Sequence, residues 1–266
     1  MNRITKIPLA IGCVALITSG SAVANEKAIL NSTLDISFAG LPVGTLSHTY
    51  AVSVRNYSIK GSIKSNRLVS MVAGTKANFS SSGRISGAKL VPASQSLKYK
   101  SRRKKGAITL AFTSGNVRSA SVWPKRKIRK GTVPIVADHR RGVIDPVSAL
   151  VFAVGENEIG NGDSVCNRTL PVFDGTSRYN LNMSFASAAT ATAKGFRGDV
   201  FICNVRYQPI AGHRPHKKNV KFLKANRNMQ VTMARIGVTN TYGLFGFRVK
   251  TRNGTAVGRA NTFAAR

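Results

Sequence analysis

The sequence predicts a mainly β protein: a single strongly curved antiparallel sheet, or an incomplete β-barrel, with one or two short helices packed on its concave side. Three observations carry this expectation. Most of the chain alternates apolar and polar residues with period two, as strands buried on one face do. Glycine, proline and asparagine punctuate these segments where turns are needed. No internal repeat or Ser/Pro-rich linker divides the chain, so about ten strands belong to one domain.

The elements follow in order. Leu34, Ile36 and Phe38 alternate with Asp35, Ser37 and Ala39. Gly40-Leu41-Pro42-Val43-Gly44 turns the chain into a second strand carrying Leu46, His48, Tyr50, Val52 and Val54, which makes a hairpin. Ser65-Asn66 before 67–74 reads as an N-cap with a short helix and a glycine stop. Strands at 94–100 and 107–113 flank the basic turn Ser101-Arg102-Arg103-Lys104-Lys105-Gly106, and Val117 to Trp123 follows after Ser114-Gly115-Asn116. Lys125, Arg126, Lys127, Arg129 and Lys130 form a basic run that reads as a solvated loop or an interaction patch.

Asp145-Pro146 suits an N-cap and first helical position, and Gly155 suits a stop, so an apolar buried helix is expected between them. Strands at 164–172, 179–186 and 200–207 come next. A C-terminal meander follows at 226–236, 242–251 and 255–263, with Gly237, Asn240, Asn253 and Gly254 in its turns.

The first 24 residues read as a cleaved signal peptide. Arg3 and Lys6 precede a short apolar run, and Ala22-Val23-Ala24 supplies small residues at the cleavage position. The run is too short for a membrane-spanning helix, which takes about 20 residues, and no later segment is apolar enough. Cys13 lies inside the run rather than at a lipoprotein cleavage point. Residues 25–266 are thus expected to be one β-rich domain in the periplasm, with no transmembrane segment.

Cleavage leaves Cys166 and Cys203. An even count in an exported chain reads as a disulfide. The alternatives are free thiols or a metal pair, and the spacing is not that of a zinc knuckle. Charge is the other outstanding feature: 41 Lys and Arg against 9 Asp and Glu, a net +32. Such a field attracts anionic envelope components, namely lipid, lipopolysaccharide or acidic glycan, or else an envelope protein. It also serves as plain solubility in a basic proteome. The basic runs carry few aromatics and export argues against the partner, so nucleic acid is not expected.

No catalytic constellation stands out. There is no GxSxG elbow, Gly162-Asp163-Ser164 is a common tripeptide, and nothing in the spacing joins His48 or His139 to a serine and an aspartate. Asp138, Asp145, Asp174 and Asp199 serve as caps and turn formers before they serve as a glycosidase pair. The oxygen-rich loop 156–163 lacks the EF-hand spacing and reads as a polar loop. His139, His213 and His216 have no zinc-site partners. No catalytic residue, metal or cofactor is expected.

Three stretches together resemble a known family. They are Ile36 to Gly44; His139-Arg140-Arg141-Gly142-Val143-Ile144-Asp145-Pro146-Val147-Ser148-Ala149-Leu150; and Cys166 onward, with Phe173-Asp174-Gly175, Arg178-Tyr179 and Cys203-Asn204-Val205-Arg206-Tyr207-Gln208-Pro209-Ile210-Ala211-Gly212-His213-Arg214. The pattern is similar to exported alphaproteobacterial proteins of domain of unknown function 3108. The resemblance covers nearly the whole mature chain. It implies a periplasmic β-rich protein, similar in architecture to open-barrel carriers that hold an acyl chain under short helices. On that reading His139, Arg140, Arg141, Asp145, Asp174, Arg178, Tyr179, Arg206, Tyr207, His213 and Arg214 are candidate anion- or ligand-binding residues. Arginine forks match phosphate or carboxylate. The plainer alternative pairs Arg140 or Arg141 with Asp174 or Asp145 to hold the fold. The function expected is a non-catalytic binding or envelope-maintenance protein holding an apolar chain with an anionic head. A docking adaptor is the alternative, and a hydrolase of envelope polymers a further one.

Overall fold

A computed structural model describes residues 27–66, 69 and 74–266. The predicted signal peptide lies outside the described residues, as does nearly all of the helix expected over 67–74. Asn66 does accept the Val69 N–H at 2.8 Å, as an N-cap would.

The described chain forms one large antiparallel sheet that does not close by strand pairing. Its strands are β1 (Ala28–Phe38), β2 (Leu41–Val52), β3 (Asn56–Ser65), β4 (Thr75–Ser86), β5 (Lys89–Ser101), β6 (Lys105–Thr113), β7 (Asn116–Trp123), β8 (Val151–Ala153), β9 (Thr169–Phe173), β10 (Arg178–Ala193), β11 (Phe196–Ala211), β12 (Met229–Arg235), β13 (Thr241–Thr251) and β14 (Gly254–Ala265). The spatial order is β7-β6-β5-β4-β3-β2-β1-β14-β13-β12-β11-β10-β9, with β8 on β13. Two up-and-down meanders therefore meet at β1 and β14, and β7 and β9 are the end strands. The short α-helices whose full range lies within the described residues are α1 (Gly162–Cys166) and α2 (Lys218–Ala225).

The inward face follows the period-two pattern. Leu30, Leu34, Tyr50, Tyr57, Ile59, Met233 and Phe263 are buried in one core. Strands β3 and β4 have no counterpart among the predicted elements. Their inward positions include Gly61, Ser81 and Gly83, which break the apolar rhythm. Gly61 has a packing reason: a Cβ there would overlap the Phe79 ring.

The expected helix over 145–155 is a correction. Asp145 does cap, accepting the N–H groups of Val147 and Ser148, each at 2.9 Å. Only a single 3-10 turn, Ser148–Leu150, follows before the chain becomes β8. Beyond Gly246, β14 leaves β13 and stays paired with β1, with only an isolated bridge to Lys194 on its other side. Thr241, Tyr242 and Gly243 of β13 then pair with Ala153, Phe152 and Val151. An unpaired strand edge beside a Val-Phe-Ala-Val run outweighs the helix signal. The segment still packs against the core on the concave side.

The segment between β7 and β9 joins the two ends of the sheet. The Val143 N–H reaches Gly115 O at 3.0 Å and the Gly142 N–H reaches Asn116 Oδ1 at 3.1 Å, both beside β7. The Ile144 N–H donates to Pro171 O at 2.8 Å, and the Ile144 carbonyl accepts from Phe173 N–H at 2.9 Å. Val143 and Phe173 share a second small core with Leu110, Phe112 and Val117. A one-chain strap thus stands where barrel closure would need a further ladder.

Cys166 and Cys203 form the expected disulfide, at a sequence separation of 37. Cys166 ends α1 rather than lying in a strand. Asn161 caps that helix by accepting from Asp163 and Ser164 N–H. Among the described residues no helix is long and apolar enough to cross a membrane.

Candidate functional site

The most concentrated polar chemistry lies beneath the strap. Asp145 is wholly buried. Its carboxylate accepts from the hydroxyls of Ser148 and of Ser81 on β4, the latter at 2.9 Å, besides the two N–H groups of its cap. Ser148 Oγ lies 2.8 Å from Ser81 Oγ and 2.7 Å from Tyr57 Oη on β3. Burial pushes the Asp145 carboxyl above the usual carboxylate range, against the pull of these hydrogen bonds. Tyr57 is likewise raised by burial, then lowered by Ser148. Tyr50 extends the contact: its hydroxyl donates to Leu150 O at 3.2 Å and accepts from Leu244 N–H at 3.1 Å. His48 stands edge-on to Tyr50 at 4.8 Å, and burial lowers it to about 4.

Of the sequence-predicted residues, five fall in one region. Tyr179 and Tyr207 pack with ring centroids 5.2 Å apart. Burial raises the Tyr179 phenol, and the charges of Asp174 and Asp145 add to that. Tyr207 is raised by burial and by Asp174. Asp174 caps its own turn by accepting from Thr176 N–H at 2.8 Å, Thr176 Oγ1 at 2.9 Å and Ser177 N–H at 2.7 Å. Arg178 donates to Tyr179 O and Asn180 Oδ1 at 2.6 and 2.7 Å, and burial lowers it.

The others lie apart. His139 Nδ1 accepts the Val136 N–H at 3.2 Å. The Arg140 guanidinium sits 5.9 Å from the Phe173 ring. Arg141 pairs with Asp138 at 3.0 Å, both side chains exposed. The expected pairing of Arg140 or Arg141 with Asp145 or Asp174 is therefore corrected. Asp145 is satisfied by neutral donors, and Asp174 by its own turn. Arg206 donates to Asn226 O at 3.3 Å. His213 is tied through its backbone to Val133, and Arg214 O accepts from Lys217 N–H. No single pocket gathers the eleven. Among the described residues no three His, Cys, Asp or Glu side chains form a metal set.

Sequence reasoning missed three features. Ser81 holds Asp145 directly, and Tyr57 reaches it only through Ser148, both from strands absent from the sequence reading. Arg168 lies 4.9 Å from the Phe152 ring and donates to Ala153 O at 3.1 Å and Ser164 O at 2.6 Å, joining β8 to α1. Burial lowers it to about 10. The third is an open groove of about 610 Å³ at the β10–β11 tip, lined in part by Phe196, Phe201, Tyr242, Phe263, Arg197 and Arg235. It arises where Lys194 bonds β14 through Asn261 O and Phe263 N–H, both at 2.9 Å.

Comparison with known proteins agrees with this architecture. The chain belongs to the family described as "Protein of unknown function (DUF3108)", whose model matches residues 33–260. No curated protein matches. Among solved structures, the chain is similar to a β-barrel-like protein of domain of unknown function DUF1849 from Brucella abortus. The identity is 12%, the TM-score 0.51, and the match covers 90% of this chain and 97% of that one. At that identity the likeness shows the fold alone.

Proposed function

We propose that the mature protein is a non-catalytic protein of the periplasm that attaches to an anionic component of the cell envelope through its cationic exterior. The observation that carries this is the charge. With 9 acids against 41 Lys and Arg, no arrangement of ion pairs neutralises the surface. Several of those acids are already engaged within the fold: Asp145 and Asp174 by hydroxyls and N–H groups, Glu158 by Gly155 N–H, Asp163 by Asn167. The remaining field acts outward and favours anionic surfaces.

The concave side of the sheet, where an acyl chain would lie in an open-barrel carrier, is packed with the protein's own Val147, Val151, Phe152 and Val154. A role in holding a chain therefore moves to the groove at the β10–β11 tip, whose aromatic wall and two arginines, against the single carboxylate of Asp199, suit an apolar anion. The attachment reading is tested by binding mature protein to immobilised anionic lipid or lipopolysaccharide and to neutral lipid, at low and high salt. Tighter binding to the anionic surfaces that weakens with salt is expected. Equal binding to both at low salt refutes it. Organic extraction and mass spectrometry of gently purified protein tests the groove: a stoichiometric amphiphile supports it, an empty protein does not.

A further inference from the structure

Resting on that attachment reading, we propose that the outer face of β3–β6, continued by the loop after Trp123, is the docking surface, and that its partner is a bilayer of anionic lipid. The sheet register places four lysines in one row. Lys64 lies directly opposite Lys76, Lys76 opposite Lys100, and Lys100 opposite Lys105. All four are exposed. Like charges directly opposite each other destabilise a sheet, and this row sets three such pairs side by side. Strands are spaced about 4.8 Å apart, so the row spans about 14 Å and its members lie within one Debye length of their neighbours at physiological salt. Lys98, on the same face, is one step along. Between Asp35 and Asp138 the chain holds no acidic residue at all, so strands β3–β7 carry no counter-charge of their own, and Asp145, which reaches Ser81 of β4, is buried on the opposite, inner face.

What distinguishes a bilayer from a soluble polyanion is the apolar component beside the row. Ala107 pairs with Trp123, two residues along from Lys105, which brings the indole to the same outer face. Trp123 is 52% exposed, and the Lys105 ammonium lies 5.5 Å from its ring. The next residues are exposed, and Ile128, at 88% exposure, stands among Lys125, Lys127, Arg129 and Lys130. An exposed tryptophan and isoleucine within a cationic surface match the chemistry of a lipid interface, where headgroups meet the cations and the indole settles at the boundary. A stacked nucleic-acid base would compete with Lys105 for the ring.

The test uses vesicles of phosphatidylglycerol and phosphatidylcholine in a 3:7 ratio (about 30% anionic lipid), with pure phosphatidylcholine as reference. Three proteins are compared: wild type, K64Q/K76Q/K100Q/K105Q, and the charge-matched control K217Q/K218Q/K221Q/K224Q on and beside exposed α2. Each basic residue near an anionic bilayer contributes on its own, so losing the four-lysine row should lower partitioning on the order of 1,000-fold, and the control less than about 10-fold. Thermal unfolding of the row variant should occur at the wild-type temperature or above it, since repulsion has been removed. Trp123 is the single tryptophan, so its emission reports the site directly. A blue shift with the anionic vesicles and none with dextran sulfate is expected. Equal losses in the two quadruple variants, or vesicle binding with unshifted emission, overturn this assignment and leave the attachment reading standing. A shift with dextran sulfate equal to that with vesicles also overturns it, in favour of a soluble polyanion. Wild type that sediments with neither vesicle removes both.

Discussion

Replacing Asp145 with asparagine tests whether burial or hydrogen bonding governs the carboxyl beneath the strap. Its donors are the Ser81 and Ser148 hydroxyls and two backbone N–H groups, none of them charged. Burial is the larger influence and raises its pKa above the ordinary 3.8. Below that value both the folded and unfolded chains hold the proton, and the contribution to stability is complete. As pH rises, the unfolded chain ionises first. Stability then falls by about 1.4 kcal/mol per pH unit until the folded carboxyl ionises as well. His48 acts in the opposite sense. Its folded pKa of about 4 against 6.5 means that stability falls as pH drops from 6.5 towards 4, by about 3 kcal/mol in all. The two slopes oppose each other in wild type, so a flat wild-type profile alone decides nothing. In D145N, His48 is unchanged and the carboxyl is gone. The stability of D145N minus that of wild type, from urea unfolding at intervals between pH 4 and 7, should therefore increase with pH. A difference that is constant or decreases across this range shows that the four hydrogen bonds hold Asp145 ionised, and the reasoning fails.

Two further substitutions probe the seam and its staple. The pair C166S/C203S removes a cross-link between α1 and β11 that spans 37 residues, with an expected loss of up to about 4 kcal/mol. The midpoint of chemical unfolding, compared with oxidised wild type, reads it, and matching midpoints for the variant and oxidised wild type would show that the link adds nothing. Gly175 has φ +89°, and a Cβ there would meet Ile108 Cγ2 at 3.0 Å. G175A should cost about 1–2 kcal/mol from the backbone conformation alone, and an unchanged melting temperature would place the Asp174-Gly175 turn away from β6.

Much of the sheet is visible in the sequence because each strand repeats a simple rule. Val200, Cys203 and Val205 are buried, as their alternation in β11 implies despite one break in rhythm, and the C-terminal meander lies where its turn residues put it. The rule fails where the inward residue answers to something distant in the chain. Gly61 is small because Phe79 fills its space, and Ser81 is polar because Asp145 needs a donor. The spacing of Val147, Val151 and Val154 suits a helix, and nothing local discloses that an edge of β13 is waiting for Val151–Ala153. Of the site residues, the Asp145 cap was legible from Asp-Pro, since a cap is a local device. Its partner Ser81, and Tyr57 on Ser148, were not, because side-chain contacts over so many residues leave no spacing to read. The lysine row is hidden for the same reason: Lys64, Lys76, Lys100 and Lys105 look scattered until the register aligns them.

The stretches that carry the family resemblance can now be given a physical role. His139 to Leu150 and Phe173-Asp174-Gly175 meet in space through Ile144 and Val172, at the place where the sheet would otherwise stand open. A sheet of this length leaves two edges, and edges left unpaired recruit other chains. The strap reduces that hazard at the β7 and β9 ends with three backbone hydrogen bonds and a small apolar core. Asp145 and Ser148 then anchor the strap to β3 and β4. Every polar group in that anchor is engaged with another part of the fold and lies beneath the surface, so its chemistry is directed inward. The exterior of β3 to β7 shows the reverse, with repelling lysines aligned and an indole exposed. Stability is concentrated on one face of this half of the sheet and relinquished on the other, which is the distribution expected when the outer face is shaped by what it binds.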